Sequence, residues 1–530
     1  MTAKPFEPVI DSTEIQGDIL AGFRKDHVRL LFVSVADTAL PAFKGWIRAI
    51  TPKLAYLDAV ATFNVMFSAA RRASQNGEAP PLSATWMNLA ISGQGVKRLL
   101  PQDQWSQLDV TFLDGPTEDA SLVGEPDNGS PGGPQSWLVG APSHGHDVLL
   151  IIAGDDLADV ERGTSEHTHA LQNLVEEDDA VTVRLESGNA RSAQPGHEHF
   201  GFKDGISQPG VRGRIGSATG QYVTARVLDP KDPSYALFAA PGQPLCYPGE
   251  FVLGYPRKRE GSLDPNDTIV DPTIPLTKNG SYLVYRRLRQ DVPGFMAAAE
   301  AMAAQLSQNQ SFGPRSAGFA AACLVGRWPS GAPVIRSPLA DDPALGDDSY
   351  ASNNFQFAQA SHLPMYGAHS KILPDNFPQA DADTFGNTCP FSAHIRKVNP
   401  RDQTTDQGDG VRTLEHRILR RGIPYGADFD PSKPGSDNED RGLQFLCYQS
   451  SIQRGFQFLM NQWANSADFP LGRGNDIVIG QSGEAQRSVT VLAPDGSQVL
   501  VTFPQRLVMT TGASYLFSPS RSALLNFFGS

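Results

Sequence analysis

The sequence contains one strand–helix pattern twice, once in each half of its 530 residues. The first copy has an apolar, buried-type strand over residues 28–35, then an acidic residue, then a helical pattern up to about residue 50 with a proline in its first turn. The second copy repeats this order, with a strand over 281–288 and a helical pattern from 293 to about 306. In both copies a phenylalanine stands two positions after the proline. The repeat favours two halves of one kind, although similar strand–helix units also arise by chance.

The other patterns mix strands and helices without regular alternation. Strands are predicted over residues 146–153, 181–185, 250–255 and 443–448, and a hairpin over 489–492 and 499–503, where Pro-Asp-Gly forms the turn. Helices are predicted over 156–177 and 451–464. This irregular order favours an α+β fold over a doubly wound parallel sheet. The Pro- and Asp-rich residues 257–277 are interpreted as a linker between an N-terminal half, 1–256, and a C-terminal half, 278–530.

Composition excludes several classes of protein. Hydrophobic residues make up 40% of the chain and charged residues 19%, as in proteins with an ordered core. The formal net charge of −13 argues against nucleic acid as a partner. The four cysteines are far apart in the sequence and form no CxxC motif, which argues against a disulfide scaffold and against a four-thiolate zinc site. No apolar run approaches the roughly 20 residues of a membrane span, and residues 1–10 lack a signal-type apolar stretch, so we expect no membrane partner and a cytoplasmic location, unless an export signal has been removed.

Two segments carry residue types suited to catalysis or ligand binding. In GFKDGISQP, residues 201–209, the glycines allow the backbone to approach a ligand while Asp204 projects a carboxylate that can relay protons. In CPFSAHIRKVNPR, residues 389–401, His394 stands beside closely spaced cations, as a haem-ligating histidine near propionate-binding arginines would. Cys389 is an alternative, thiolate ligand. A simple turn at Asp204 and a packed histidine in a basic loop are the structural alternatives.

A third segment and a histidine pair add further hypotheses. RILRRGIPYG, residues 417–426, contains an arginine doublet that can stabilise negative charge on a metal-bound oxygen, or simply end a solvated strand. His197 and His199 with Asp204 could form a two-histidine, one-carboxylate iron site. Ordinary loop histidines are the simpler interpretation of that pair.

Taken in this order, GFKDGISQP, CPFSAHIRKVNPR and RILRRGIPYG resemble the dye-decolourising peroxidase family. IQGDILAGF at 15–23, HDVLLIIAGDD at 146–156 and PGEFVLGY at 248–255 resemble it too, so the similarity extends over nearly the whole chain. Its length and loops are similar to those of the longer bacterial and fungal members. The resemblance implies two ferredoxin-like halves, each an antiparallel sheet with helices, and one haem b per chain held mainly by the C-terminal half.

The resemblance also implies roles for individual residues. His394 is expected to be the proximal iron ligand, Asp204 the distal acid–base residue and Arg420 the distal arginine, with Arg421 as the alternative. Arg396 is expected to meet a haem propionate.

Further residues follow from the same resemblance. Asp476, with Glu484 behind it, is expected to partner the other ring nitrogen of His394. The apolar residues expected to shape the haem pocket are Ile206, Leu443 and Phe445. Trp463 and Tyr425 are expected to relay electrons between the haem and donors too large for the pocket.

The function implied is a haem peroxidase that reduces hydrogen peroxide and oxidises bulky aromatic donors, such as dyes and phenolics, through a ferryl intermediate. Two alternatives remain at this point. One is a protein that binds or handles haem with little turnover, and the other is a non-haem iron enzyme built on the histidine pair.

Overall fold

The structure is a computed structural model that describes residues 6–73, 82–177, 179–216, 221–358, 375–408, 410–433, 435–470, 472–481 and 487–530. Its strands are β1 His27–Val35, β2 Thr85–Ser92, β3 Val148–Gly154, β4 Val181–Asn189, β5 Gly210–Val211, β6 Phe238–Ala240, β7 Gln243–Cys246, β8 Pro256–Lys258, β9 Thr268–Val270, β10 Ser281–Gln290, β11 Leu419–Arg420, β12 Ile423–Tyr425, β13 Gly442–Gln449, β14 Arg487–Leu492, β15 Gln498–Phe503 and β16 Val508–Ser518.

The α-helices are α1 Gly17–Leu20, α2 Leu40–Ile50, α3 Leu57–Ala73, α4 Gly93–Leu99, α5 Gln102–Trp105, α6 Val110–Asp114, α7 Leu157–Gln172, α8 Val292–Ser307, α9 Ala317–Val325, α10 Pro343–Asp347, α11 His394–Val398 and α12 Arg521–Ala523. Three π-helical segments occupy Gln453–Gln457, Leu459–Ala464 and Leu524–Phe528. Among the helices of the described residues, none combines the length and the apolar character needed to cross a bilayer.

The main sheet has nine antiparallel strands in the order β11-β13-β10-β16-β2-β3-β1-β4, and β12 also pairs with β13. Within β1 to β4, the first strand lies between the third and the fourth. The C-terminal strands repeat this arrangement, with β10 between β13 and β16 and with β11 and β12 together in the second position. This is the strand order of a ferredoxin-like unit, and the prediction of two such halves is confirmed.

The repeated pattern in the sequence corresponds to β1 with α2 and to β10 with α8. Both faces of β1 are buried, since Leu30 packs in one apolar cluster and Leu31 in another, which explains why the strand is a continuous apolar run. The two phenylalanines of the repeat, Phe43 and Phe295, are both buried.

The two halves share one sheet. Strand β16 pairs with β2 through Leu516 and Ser92, and at the other end of the sheet β4 approaches β12. A Cβ atom on Gly188 would lie 2.3 Å from Cγ2 of Ile423, so only glycine allows this approach. The sheet therefore curls into a barrel-like core.

Three local predictions differ from the structure. Residues 250–255 form no strand: Glu250 ends a 3₁₀ turn, Pro248–Glu250, and residues 251–255 are turns and bends. Phe251 and Val252 are fully buried and so account for the apolar pattern. The segment interpreted as a linker contains the β8–β9 hairpin. The helix predicted over 451–464 has π-helical turns. The β14–β15 hairpin is confirmed.

Candidate functional site

Asp204 and Arg420 come from different halves and form an ion pair. Asp204 lies in the loop between β4 and β5, and its Oδ1 atom is 2.8 Å from Nη1 of Arg420 at the end of β11. The same oxygen accepts the Gly205 N–H at 2.6 Å. Burial acts to raise the pKa of Asp204, but the charge of Arg420 and these hydrogen bonds, with a smaller contribution from His394, lower it below its usual value. Asp204 is therefore held as a carboxylate.

The loop that carries Asp204 is fixed from two sides. Glu198 accepts the backbone N–H of Phe200 at 2.8 Å, and the Phe200 ring stacks on Phe295 of α8 with a centroid separation of 4.3 Å. Further along the loop, Gln208 hydrogen-bonds both the backbone C=O and the backbone N–H of Arg420, at 3.1 and 3.2 Å. These contacts position the loop against β11.

Arg421, the second arginine of the doublet, faces a different part of the protein. It donates to the backbone carbonyls of Asp18 and Ile19, both at 2.7 Å, and so fastens the α1 segment. Of the two arginines, Arg420 is the one that meets Asp204.

His394 begins α11 and is held by a buried carboxylate. Its Nδ1 atom is 2.8 Å from Oδ2 of Asp476, which is fully buried, while Oδ1 of Asp476 accepts the N–H groups of Val478 and Ile479. This contact assigns a proton to Nδ1 and leaves the Nε2 lone pair available to a metal. Nε2 has no hydrogen-bond partner among the described residues. Glu484 lies outside the described residues.

Arg396 does not face this site. Its guanidinium is 1% exposed and donates to the side chain and the backbone of Asp383, at 2.8 and 2.7 Å, and to Gln403 at 3.0 Å. The expectation that Arg396 meets a haem propionate is therefore wrong, because its N–H groups already have protein acceptors.

Arg327, which the sequence analysis did not identify, has the property expected of Arg396. It follows α9, is 4% exposed, and donates through Nη1 to the carbonyls of Gly331 and Ser352. Its Nη2 atom is buried without a partner, and no carboxylate pairs with it among the described residues. Burial lowers the pKa of Arg327 to about 10. A buried guanidinium with a free N–H is suited to an anionic ligand. The signal in the sequence was a single arginine directly after an apolar helical run.

The three predicted pocket residues are half-buried. Leu443 and Phe445 alternate with the buried Gln444 and Leu446 along β13, so they share one face of the sheet. Ile206 contacts Gly331, where a Cβ atom would lie 2.6 Å from its Cδ1. Half-buried apolar side chains beside charged groups are typical of the wall of a ligand site.

The alternative metal ligands are arranged differently. Cys389 is fully buried, and burial raises its pKa to about 12, which disfavours a thiolate ligand. His199 Nε2 is 2.8 Å from the backbone oxygen of Tyr425, and His197 Nδ1 is 3.0 Å from that of Pro195. Within the described ranges no cluster of three metal-ligating side chains exists, so the non-haem iron interpretation is wrong.

The two predicted relay residues are both buried. Trp463 is 1% exposed and donates its indole N–H to the exposed Asp406 at 3.2 Å. Tyr425 is 5% exposed and donates its hydroxyl to Asp440 at 3.2 Å, while the Arg287 guanidinium lies 4.1 Å from its ring centroid. Neither ring reaches the surface directly.

Comparison with known proteins gives consistent similarities. Residues 14–192 match the DyP dimeric alpha+beta barrel domain, and residues 353–470 match the Dyp-type peroxidase, C-terminal domain. The chain is 30% identical to Peroxidase 2 of Mycetinis scorodonius over 98% of this chain and 87% of that protein. It is 31% identical to a dye-decolorizing peroxidase of Exidia glandulosa over 97% of this chain and 86% of that protein. A solved dye-decolorizing peroxidase in complex with 2,6-dimethoxyphenol is similar in structure, with a TM-score of 0.69, 28% identity, and coverage of 98% of this chain and 100% of that chain.

Proposed function

Because the chain belongs to the dye-decolourising peroxidase family and is a haem peroxidase, we propose that one haem b binds per chain, between His394 and the Asp204–Arg420 pair. The residues present fit this group. His394 would hold the iron through Nε2, and Asp476, which accepts from Nδ1, would raise the basicity of that nitrogen. Arg327 has a buried N–H free for a propionate. Leu443 and the other half-buried apolar residues provide a wall for the porphyrin.

The bound haem supplies the redox chemistry of peroxide reduction, and the chain's own side chains handle protons and charge. Asp204, held ionised by Arg420, accepts a proton from one oxygen of hydrogen peroxide and delivers it to the other, which departs as water. Arg420 donates hydrogen bonds to the oxygen that gains negative charge as the bond breaks. Gln208 keeps Arg420 in place through its backbone.

The observation that carries this proposal is the Asp204–Arg420 ion pair placed near a histidine that a buried carboxylate already orients. A similar solved peroxidase is in complex with 2,6-dimethoxyphenol, which supports phenolics as donors here. Relatives named dye-decolorizing peroxidases support bulky dyes as donors. Turnover of an anthraquinone dye and of a small phenol by the haem-loaded protein and hydrogen peroxide tests this function. Absence of turnover with both donors contradicts it.

Arg327→Gln is expected to release haem about tenfold faster than the wild type, since it removes a charged hydrogen bond to a propionate. Transfer of haem to an excess of a haem-free acceptor protein measures this rate. Arg396→Gln is the matched control, because it changes a buried guanidinium that Asp383 already pairs. Thermal unfolding of both apoproteins separates haem release from loss of the fold. Wild-type release by Arg327→Gln contradicts the propionate assignment.

The reaction with peroxide is expected to persist into acid, because the pKa of Asp204 is lowered and its carboxylate stays ionised as the pH falls. The rate falls only when the pH passes below that lowered pKa. Arg420→Leu removes the largest contribution that opposes the effect of burial, so the pKa of Asp204 rises and the acid limb moves to higher pH. Stopped-flow rates across the acid range measure this shift. An acid limb at the same pH in both proteins, or one that persists in Asp204→Asn, contradicts the assignment.

We propose Trp463, in preference to Tyr425, as the relay for bulky dyes. The Asp406 carboxylate at the indole N–H stabilises the oxidised ring, whereas the Arg287 cation over Tyr425 disfavours it. Trp463→Phe is therefore expected to lower dye turnover by about tenfold, equivalent to ~1.4 kcal/mol in the barrier, while Tyr425→Phe changes it little.

Oxidation of a small phenol serves as the control for this prediction. It should stay near the wild-type rate in Trp463→Phe, because the phenol does not need the relay. Unchanged dye turnover in both single variants and in the double variant rules the route out.

A further inference from the structure

The Asp204–Arg420 pair lines a cavity of about 520 Å³ that reaches the exposed Arg24 in the loop after α1. The other three cations in its wall have carboxylate partners: Lys25 lies 2.5 Å from Asp155, Arg420 lies 2.8 Å from Asp204, and Arg421 lies 3.7 Å from Asp18. Arg24 makes no ion pair or hydrogen bond through its side chain with any described residue. Arg24 thus presents a guanidinium without a partner among the described residues in the same cavity wall as the Asp204–Arg420 pair.

The loop that presents Arg24 is tied to the distal arginine doublet. Arg421 binds the carbonyls of Asp18 and Ile19, and Gly22 lies so close to it that a Cβ atom there would be 2.9 Å from the Arg421 Nε atom. Asp18 in turn accepts the backbone N–H of Phe23 at 2.9 Å. Because Arg421 follows Arg420 directly in the sequence, these contacts fix the position of Arg24 relative to Arg420.

Arg24 also has an unusual backbone conformation. Its φ is +52°, in the left-handed region that favours glycine or asparagine. The turn therefore does not account for an arginine at this position, and neither does packing, because the side chain is exposed. Strained residues of this kind are concentrated at ligand sites.

The charge of the cavity favours an anion. Four cations line it, Arg24, Lys25, Arg420 and Arg421, but only two carboxylates, Asp18 and Asp204. Its volume lies within the range of small-molecule binding sites. A donor that enters this cavity comes to the same wall as Asp204 and Arg420.

We propose that Arg24 binds the anionic group of a small aromatic donor, a phenolic carboxylate, whose ring then lies toward Asp204 and Arg420. The inference rests on the proposed function and adds the class of small donor. The carboxylate takes no part in the reaction. Two donor molecules each lose one electron and one proton from the phenol group, and one hydrogen peroxide takes up the two electrons and two protons to form two waters. Arg24 therefore selects the donor and leaves peroxide cleavage to the distal pair.

The test is equilibrium binding to the haem-loaded protein without peroxide, by isothermal titration calorimetry at about pH 6, where the carboxyl group is ionised. The probes are 4-hydroxybenzoate and its neutral methyl ester. The variants are Arg24→Gln and Arg24→Gly, the second of which relieves the positive φ. Arg162→Gln is the matched control, since Arg162 is an exposed arginine of α7 outside the cavity wall.

Both Arg24 variants are expected to bind 4-hydroxybenzoate about tenfold more weakly than the wild type and the Arg162 control. The methyl ester should bind equally to all four proteins, and raising the salt from about 10 to about 200 mM should weaken binding of the carboxylate alone. Equal affinities for 4-hydroxybenzoate in wild type and Arg24 variants overturn the proposal, as does a lack of measurable binding to the wild type. Loss of haem from the Arg24 variants also overturns it, since Arg24 would then serve a propionate.

Turnover of the methyl ester by the wild type with hydrogen peroxide tests the proposed function separately. If the ester is not oxidised while Arg24 still discriminates the carboxylate, the proposed function fails and the binding site stands.

Discussion

His394→Ala is expected to lose most of the bound haem, because the side chain that offers the axial nitrogen is removed and Asp476 is left without its partner. The measurement is the absorbance ratio of the Soret band to the protein band after loading with excess haem and gel filtration. Cys389→Ser is the control and should retain haem, since Cys389 is fully buried with a raised pKa. Haem retention with a wild-type spectrum in His394→Ala, together with its loss in Cys389→Ser, would reverse the assignment in favour of the thiolate.

Substitution of Asp204 or Arg420 is expected to have the second large effect, a slower reaction with peroxide. Arg420→Leu is expected to slow the reaction with peroxide by about 10²–10³-fold, as for loss of one donor to a developing oxyanion. Asp204→Asn removes the proton relay, which contributes about 10²–10⁴-fold. Stopped-flow absorbance after mixing with hydrogen peroxide measures both rates, and at least one large loss is expected.

The Arg259–Asp267 pair, in the turn of the β8–β9 hairpin, provides controls for these two variants. The Asp267 side chain is 37% exposed and that of Asp204 is 35% exposed, and each lies against an arginine. Asp267→Asn and Arg259→Leu should react with peroxide at the wild-type rate. Wild-type rates in both Asp204→Asn and Arg420→Leu contradict the assignment of these residues.

Local sequence patterns predicted the repeated units of the fold. The apolar patterns of β1 and of the helix that follows it show which residues of each element are buried, and a short stretch of sequence is enough to read them. The same is true of β10 and α8. The joining of the halves through Leu516 and Ser92 was not predicted, because pairing between strands so far apart in the chain leaves no local pattern. Residues 250–255 show the reverse error, since burial alone produced a strand-like pattern without a strand.

The site shows the same limit. The resemblance named Asp204, Arg420, His394 and Asp476, and the structure places the first two in one ion pair and the last two in another. The resemblance also named Arg396, but the motif around Arg396 does not reveal that its guanidinium forms an ion pair with Asp383. Whether an arginine is free for a ligand depends on which residues lie next to it in the folded protein. The residues next to it in the sequence do not identify those partners.

Haem peroxidase chemistry at the Asp204–Arg420 pair is tested most directly by the absorption spectrum of the haem-loaded protein, recorded before and after one equivalent of hydrogen peroxide and again after a small phenol is added. A Soret band is expected, with a rapid change of that band after peroxide in the wild type and its return when the phenol donates electrons. The change should be slow in a variant that combines Asp204→Asn with Arg420→Leu. A wild-type protein that binds haem but whose spectrum does not respond to peroxide would contradict the account.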